Sequence, residues 1–299
     1  MSHLPQLPNG LIAFGPLANC TLELCPLEAS VLHYQPYVGA SAAFIAAFAL
    51  CLFAHVAQGV YYRTWGFMSC MVAGCILEVL GYGGRIIIHD NPFDFSGFLM
   101  QIICITVSPV FFCSAIYVLL SQVINKVDRS ISRFSPKLFY CVFIPVDIIS
   151  LVLQAVGGAF SSTASNVDAV QVGVNISLAG LVFQVFTLLA FCTLFVDYLL
   201  LCRKSPSWPL IDKPMRFFLT FFFLSIALIL LRCIYRIVEL HDGYFSHWFR
   251  DQDLFIVFES VIMCLAVICL NVGHPGPVLS GKRNSGDDKN GETTETAEA

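Results

Sequence analysis

Seven stretches of about 20 mostly apolar residues dominate the chain, at 37–57, 65–88, 98–121, 138–160, 172–201, 215–240 and 254–273. Coiled as an α-helix, a run of that length matches the hydrocarbon thickness of a bilayer. In lipid, backbone N–H and C=O groups have only one another to bond, so such runs fold as spanning helices. The predicted fold is therefore all-α, a polytopic membrane protein with seven transmembrane helices. Composition agrees: 57% of residues are hydrophobic and 12% charged, against about 25% charged in a soluble domain. Pro36 and Pro214 stand where helices begin, the place where a missing N–H costs nothing. Pro109 and Pro145 fall inside spans three and four, and lipid-embedded helices tolerate them as kinks.

Lys and Arg set the orientation. One set of alternate connections carries 12 of them and the other carries Arg250 alone. Arg85, Arg232 and Arg236 lie inside spans. This bias predicts an N-terminus outside and a C-terminus in the cytosol. Three parts follow: an extracellular segment at 1–35, the seven-span domain at 36–276, and a disordered cytosolic tail at 277–299. Asn19-Cys20-Thr21 is a glycosylation sequon in the first part, usable only if that segment is outside. Residues 1–35 lack the basic start and apolar core of a cleavable signal.

Several function classes are excluded by the same features. A net charge of −4 with only 16 Lys and Arg does not suit a nucleic-acid binder. Thirteen cysteines do not make a disulfide framework, because all but Cys20 and Cys25 lie in or beside apolar runs, where a thiol behaves as a small hydrophobe. The run from Gly276 to Lys282 has the spacing of a phosphate-binding loop, but Arg283 replaces the magnesium-holding Ser or Thr and no strand precedes it. No ATP motor is expected. No two His sit at zinc spacing within a span, and no Gly-x-Ser-x-Gly elbow is present. Neither an enzyme, a metal site nor a cofactor is predicted.

Ionisable groups inside spans are costly, so each is a candidate functional residue. They are Glu78 and Arg85 in span two, Asp147 in span four, Arg232, Arg236 and Glu239 in span six, and Glu259 in span seven. Gln101, Gln154 and Gln184 are uncharged polar companions. Glu78 and Arg85 are seven residues apart, two turns up one face, and this spacing predicts that they pair. The charged ladder of span six cannot point at lipid tails. Such charges either lock the helices together as ion pairs or line a polar groove for an amphipathic headgroup, and one wall can do both.

These residues fall into ordered motifs: Glu78-x-x-Gly81-Tyr82-x-x-Arg85, then Gln101, Pro109-Val110-Phe111, Ala115 and Tyr117. Asp147-x-x-Ser150-x-x-x-Gln154-x-x-Gly157-Gly158 and Gly180-x-x-x-Gln184 follow. Arg232-x-x-Tyr235-Arg236-x-x-Glu239, Gly243 and His274-Pro275-Gly276 complete the series. In this order they resemble the fungal seven-span lipid-translocating exporters of the resistance-to-aminocholesterol type. The sequence departs from that pattern before span seven, where Gln252, Ile256, Phe258 and Glu259 stand for a Glu followed by Tyr-x-Phe-Asp. Glu259 keeps the charge, whereas Ile256 loses a phenol.

The resemblance implies a membrane protein that moves or handles lipids or amphipathic toxins, with sphingoid bases, sterol derivatives and porphyrins as substrate types. The predicted function is translocation of amphipathic lipids of sphingoid-base, sterol-like or phospholipid type, without its own ATPase, by a multi-pass protein of the plasma membrane. Its partners would be membrane lipids or amphipathic small molecules. The expected groove is lined by spans two, four, six and seven. Glu78, Arg85, Asp147, Gln154, Gln184, Arg232, Arg236, Glu239 and Glu259 are the substrate-binding or proton-coupling candidates, and Asn19 the glycosylation site. A seven-span lipid sensor signalling to a cytosolic partner is the alternative that the topology suits equally.

Overall fold

The computed structural model describes residues 10–15, 17–127, 129, 133–163, 167–204, 213–241 and 250–280. Its seven long helices are α1 (Val38–Tyr62), α2 (Trp65–Asp90), α3 (Phe95–Val127), α4 (Pro136–Thr163), α5 (Val167–Lys204), α6 (Lys213–His241) and α7 (252–272). All seven spans read from the sequence are helical and long and apolar enough to cross a membrane. Connections are tight where they are described. Arg63 ends α1 in the left-handed region at φ 57°, its N–H bonding back to Gly59 and Val60, and α2 begins two residues later.

Sequence neighbours pack side by side, α7 returns to α1, and α3 also touches α6, making α3 the most enclosed helix. Glycines set the closest approaches. A Cβ on Gly84 would stand 2.8 Å from the backbone of Gln101 and Gly97, and one on Gly157 would stand 2.4 Å from Ser177 N. Gly84 lets α2 and α3 touch backbone to backbone; Gly157 does so for α4 and α5. The Gly-rich run at 81–84 is thus a packing surface, as small residues are between membrane helices. Large apolar side chains such as Leu50, Phe53 and Phe186 are exposed on the outside of the bundle, the surface lipid tails would solvate.

α7 is not a simple helix. Gln252–Leu254 is one α turn, Phe255–Val261 is π-helical, and Ile262–Val272 is α again. After Gly273 and His274 a short helix, α8 (Pro275–Ser280), follows. The Gly276 N–H donates to His274 Nδ1 at 3.0 Å, and Lys126 Nζ donates to the Val278 carbonyl. Residues 277–280, predicted to start the disordered tail, are therefore helical and fastened to α3. The rest of the predicted tail, 281–299, lies outside the described residues.

The segment before α1 is also built. Cys20 and Cys25 form a disulfide, and this loop buries Ala13, Cys20 and Cys25 against Phe93 of the α2–α3 connection. Val31 and Leu32 pack on Ile88 and Phe98. Gln35 Nε2 donates to the His89 carbonyl at 3.2 Å, and His89 Nδ1 lies 2.9 Å from the Pro36 carbonyl. The segment so caps the bundle end where α1, α3, α5 and α7 begin.

Candidate functional site

Every predicted in-span site residue is buried: Glu78, Arg85, Asp147, Gln154, Gln184, Arg232, Arg236, Glu239 and Glu259 all face protein. The structure gathers seven of them into three groups and leaves Glu78 and Arg85 apart.

The first group joins α6, α7 and α3. Arg232 pairs with Glu259 across the α6–α7 interface, and the same guanidinium donates to the Ile105 carbonyl at 2.8 Å. The reason lies four residues further on. Pro109 has no N–H, so the Ile105 carbonyl loses its intrahelical partner. The proline of span three thus creates the acceptor on which span six docks. Glu259 reaches Arg232 from within the π segment. A turn bonded i→i+5 shifts the residues before it around the helix axis, and such turns recur at functional sites.

The second group is Arg236 with Glu239, one turn apart on α6 at 2.5 Å. Tyr235 of the same helix stacks on Phe258 of the π segment, centroids 4.9 Å apart. The third group lies between α3, α4 and α5: Tyr117 donates to Asp147 Oδ2 at 2.8 Å, Gln154 Nε2 to Gln184 Oε1 at 3.0 Å, and Ser177 to the Gln154 carbonyl at 3.1 Å.

Glu78 and Arg85 form no pair, contrary to the two-turn spacing. Arg85 turns to the N-terminal cap, donating to Tyr34 Oη at 3.3 Å with its guanidinium 4.1 Å from the Phe255 ring centre. The aromatic face and phenol compete for it where the i,i+7 reach does not. Neither carboxylate oxygen of Glu78 has a hydrogen-bond partner among the described residues. Ser108 beside it donates instead to the Gly74 carbonyl at 3.0 Å.

Two clefts meet at these groups. A narrow one of about 10 Å³ is bounded by apolar Leu32, Ile102, Ile105 and Phe255 and by a polar side of Tyr34, Gln101, Arg236, Glu239 and Glu259. A larger one of about 380 Å³ lies between α3, α4, α5 and α6, with Phe14 and Val31 of the N-terminal segment in its wall. That volume falls in the range of small-molecule sites. Its lining is mainly apolar, relieved by Gln154, Ser161, Ser162 and Ser177. Ile102, Thr106 and Arg236 border both clefts, so the two lie side by side with these residues between them. The lining corrects the expected groove of spans two, four, six and seven. The clefts draw on α3 to α7 and the N-terminal cap, and Glu78, Arg85, Asp147 and Gln184 line neither.

Sequence reasoning missed Tyr34 and the α3 wall. It had Gln101 only as a companion, yet Gln101 Oε1 and Glu259 Oε2 are buried acceptors without a partner, and both residues border the polar cleft. A signal for the cap existed in Val31, Leu32 and Tyr34, shortly before Pro36. Asn19 is exposed, with Oδ1 accepting the Ile12 N–H at 2.7 Å; this leaves the amide nitrogen, the atom a glycan would use, unbonded to that partner.

Residues 71–282 match the family model described as RTA1 like protein. The chain is 30% identical over 266 residues to the sphingoid long-chain base transporter RSB1 of Saccharomyces cerevisiae, covering 77% of this chain and 69% of that one. It is 30% identical over 202 residues to protein RTM1 of the same yeast, covering 67% and 64%. Against its protoporphyrin uptake protein 1, identity is 29% over 202 residues, covering 67% and 66%. No solved structure matches.

Proposed function

Since the chain belongs to the RTA1-like family, we propose that it moves amphipathic lipids with a cationic amine head, of the sphingoid-base type, across the bilayer. The observation that carries this reading is the adjacent pair of clefts, which share Ile102, Thr106 and Arg236. An aliphatic tail fits the apolar space between α3, α4, α5 and α6. The ammonium head fits the polar end, where Gln101 Oε1 and Glu259 Oε2 are acceptors without donors. An ammonium group offers three N–H donors and no acceptor. Arg236, engaged with Glu239, holds the boundary between the two spaces and favours any hydroxyl or phosphate oxygen that accompanies the head.

The protein acts as a transporter that leaves the lipid chemically unchanged and has no ATPase of its own. It sits in the plasma membrane with its N-terminus outside. The Cys20–Cys25 disulfide supports that orientation, since such bonds persist outside the reducing cytosol. Asn19 is the glycan acceptor on the same side.

The full chain reconstituted into vesicles, with a long-chain base labelled at its tail terminus, tests the reading. Protein-containing vesicles should equilibrate the label between leaflets faster than protein-free ones, and an N-acylated, uncharged analogue should move more slowly. Equal rates with and without protein would refute it.

A further inference from the structure

The larger cleft runs along the seam between two tightly joined helix pairs. Gly84 brings α2 onto α3 backbone to backbone. α4 and α5 are joined in the same way. A Cβ on Gly173 would stand 2.6 Å from the Gly157 carbonyl, and one on Gly180 would stand 2.8 Å from the Ser150 carbonyl. Small residues permit such approach between membrane helices. The seam between the pairs, where α3 faces α4, is fastened away from the cap. There Tyr117 donates to Asp147 at 2.8 Å, and its ring packs on Phe143 of α4 with centroids 5.4 Å apart. Leu151, in the wall of the cleft, lies one turn from that bond along α4.

Towards the cap the same seam is roofed above and open at the side. Phe14 stands edge-on to Phe95 and Phe98, each pair with centroids 5.3 Å apart, and lines the cleft with them. Among the described residues of the lining, the exposed ones are Ile103 of α3, at 54%, and Ala155 and Ala159 of α4. Arg236 and Leu240, on the α6 side, are buried. Ile103, Ala155 and Ala159 all lie inside the apolar spans, within roughly 10 Å of the span ends nearest the cap at 1.5 Å per residue. The phase that bathes a helix surface inside its span is hydrocarbon rather than water. The mouth of the cleft thus faces acyl chains of one leaflet.

We infer that the cap-side seam between α3 and α4 is a lateral portal, through which the tail of an amphipathic lipid passes between the cleft and the surrounding leaflet. The inference rests on the transport reading above and gives it a route. The head advances past Ile102, Thr106 and Arg236 towards the polar side chains beyond them, while the tail trails through the seam. The lipid then enters without passing through water. On the proposed orientation the leaflet is the outer one. Ala155 and Ala159 determine what is admitted, because their short side chains leave the gap that a larger one would fill.

The test uses the full chain in vesicles with a long-chain base that carries a diazirine midway along its tail. Light fixes the base to whatever it touches, and peptide mass spectrometry locates the adducts. Leu181 and Leu240 are buried and line the cleft, whereas Val156 of α4 is exposed and lies outside the lining. Wild-type protein should be labelled at both kinds of position. Ala155→Trp should lose the label at Leu181 and Leu240, keep it at Val156, and transfer the base between leaflets no faster than protein-free vesicles. Val156→Trp should match wild type at Leu181 and Leu240 and in transfer. Should Ala155→Trp fail to fold, Ile103→Trp closes the mouth from the α3 side. Wild-type label confined to exposed positions, or tryptophan variants at the mouth that label and transfer as wild type does, would overturn the portal and leave the transport reading standing. Label inside the cleft without transfer above protein-free vesicles would refute the transport reading and leave the portal as a route of binding.

Discussion

Arg232→Met probes the junction of α3, α6 and α7 most directly. Methionine keeps an unbranched, apolar stem and removes every guanidinium donor. Two acceptors then lose their partner, Glu259 Oε1 and the Ile105 carbonyl. The Arg232 side chain is 4% exposed and that of Glu259 1%, so solvent screening offers little relief. Breaking a buried pair by removing one partner costs about 3–5 kcal/mol, and orphaning a buried carbonyl about 1–3 kcal/mol. Together, about 4–8 kcal/mol is a large part of a typical folding margin of about 5–15 kcal/mol. The double variant Arg232→Met, Glu259→Met removes both charges and should recover most of the pair's share, leaving chiefly the carbonyl. The assay is size-exclusion elution of the detergent-solubilised, fluorescently tagged full chain after heating. The single variant should lose its monodisperse peak at a temperature well below that of the double. A double variant no more stable than the single, or a single variant indistinguishable from wild type, would refute the claim that this pair holds the junction.

Arg236→Glu should reduce protein abundance by far more than Ile237→Ala, because a second carboxylate would face Glu239 where losing a buried partner costs about 3–5 kcal/mol; immunoblots of matched membranes compare them. Gly157→Leu should disrupt α4–α5 packing, since even a Cβ would stand 2.4 Å from Ser177 N, whereas Gly39→Leu, with open space around the Cβ, should leave thermal stability close to wild type. A C-terminal epitope should be detected only in permeabilised cells; detection on intact cells would overturn the proposed orientation. Asn19→Gln should remove one glycosidase-sensitive increment of gel mobility.

The spans were legible because lipid imposes a single requirement, about 20 apolar residues per crossing. The inward direction of the charged faces was legible for the same reason, and Arg232, Arg236 and Glu239 are indeed buried. Pairing was not. Spacing along one helix put Arg85 beside Glu78, while the fold gave Arg85 to Tyr34 and Phe255 and set Glu78 near Arg232 instead. Such choices depend on neighbours distant in sequence. The π turn at Phe255–Val261 has no residue signature in the apolar pattern, yet it carries Glu259. The Ile105 acceptor was readable in principle, four residues ahead of Pro109, once a donor could be placed opposite. The cap was hidden by its lack of regular structure, since its order comes from a disulfide and from contact with the α2–α3 connection.

The family match spans residues 71–282, whereas Phe14, Val31, Leu32 and Tyr34 of the cleft walls lie well before it. The chamber is thus a composite of two materials. Its floor and most of its sides must survive insertion into a bilayer, which narrows the alphabet to apolar residues and balanced charge. Its rim, built from a segment outside the spans, has only to fold against helix ends, and so accepts a far wider range of side chains. In a protein of this design the cap residues that wall the cleft can vary while its membrane-embedded walls stay as they are.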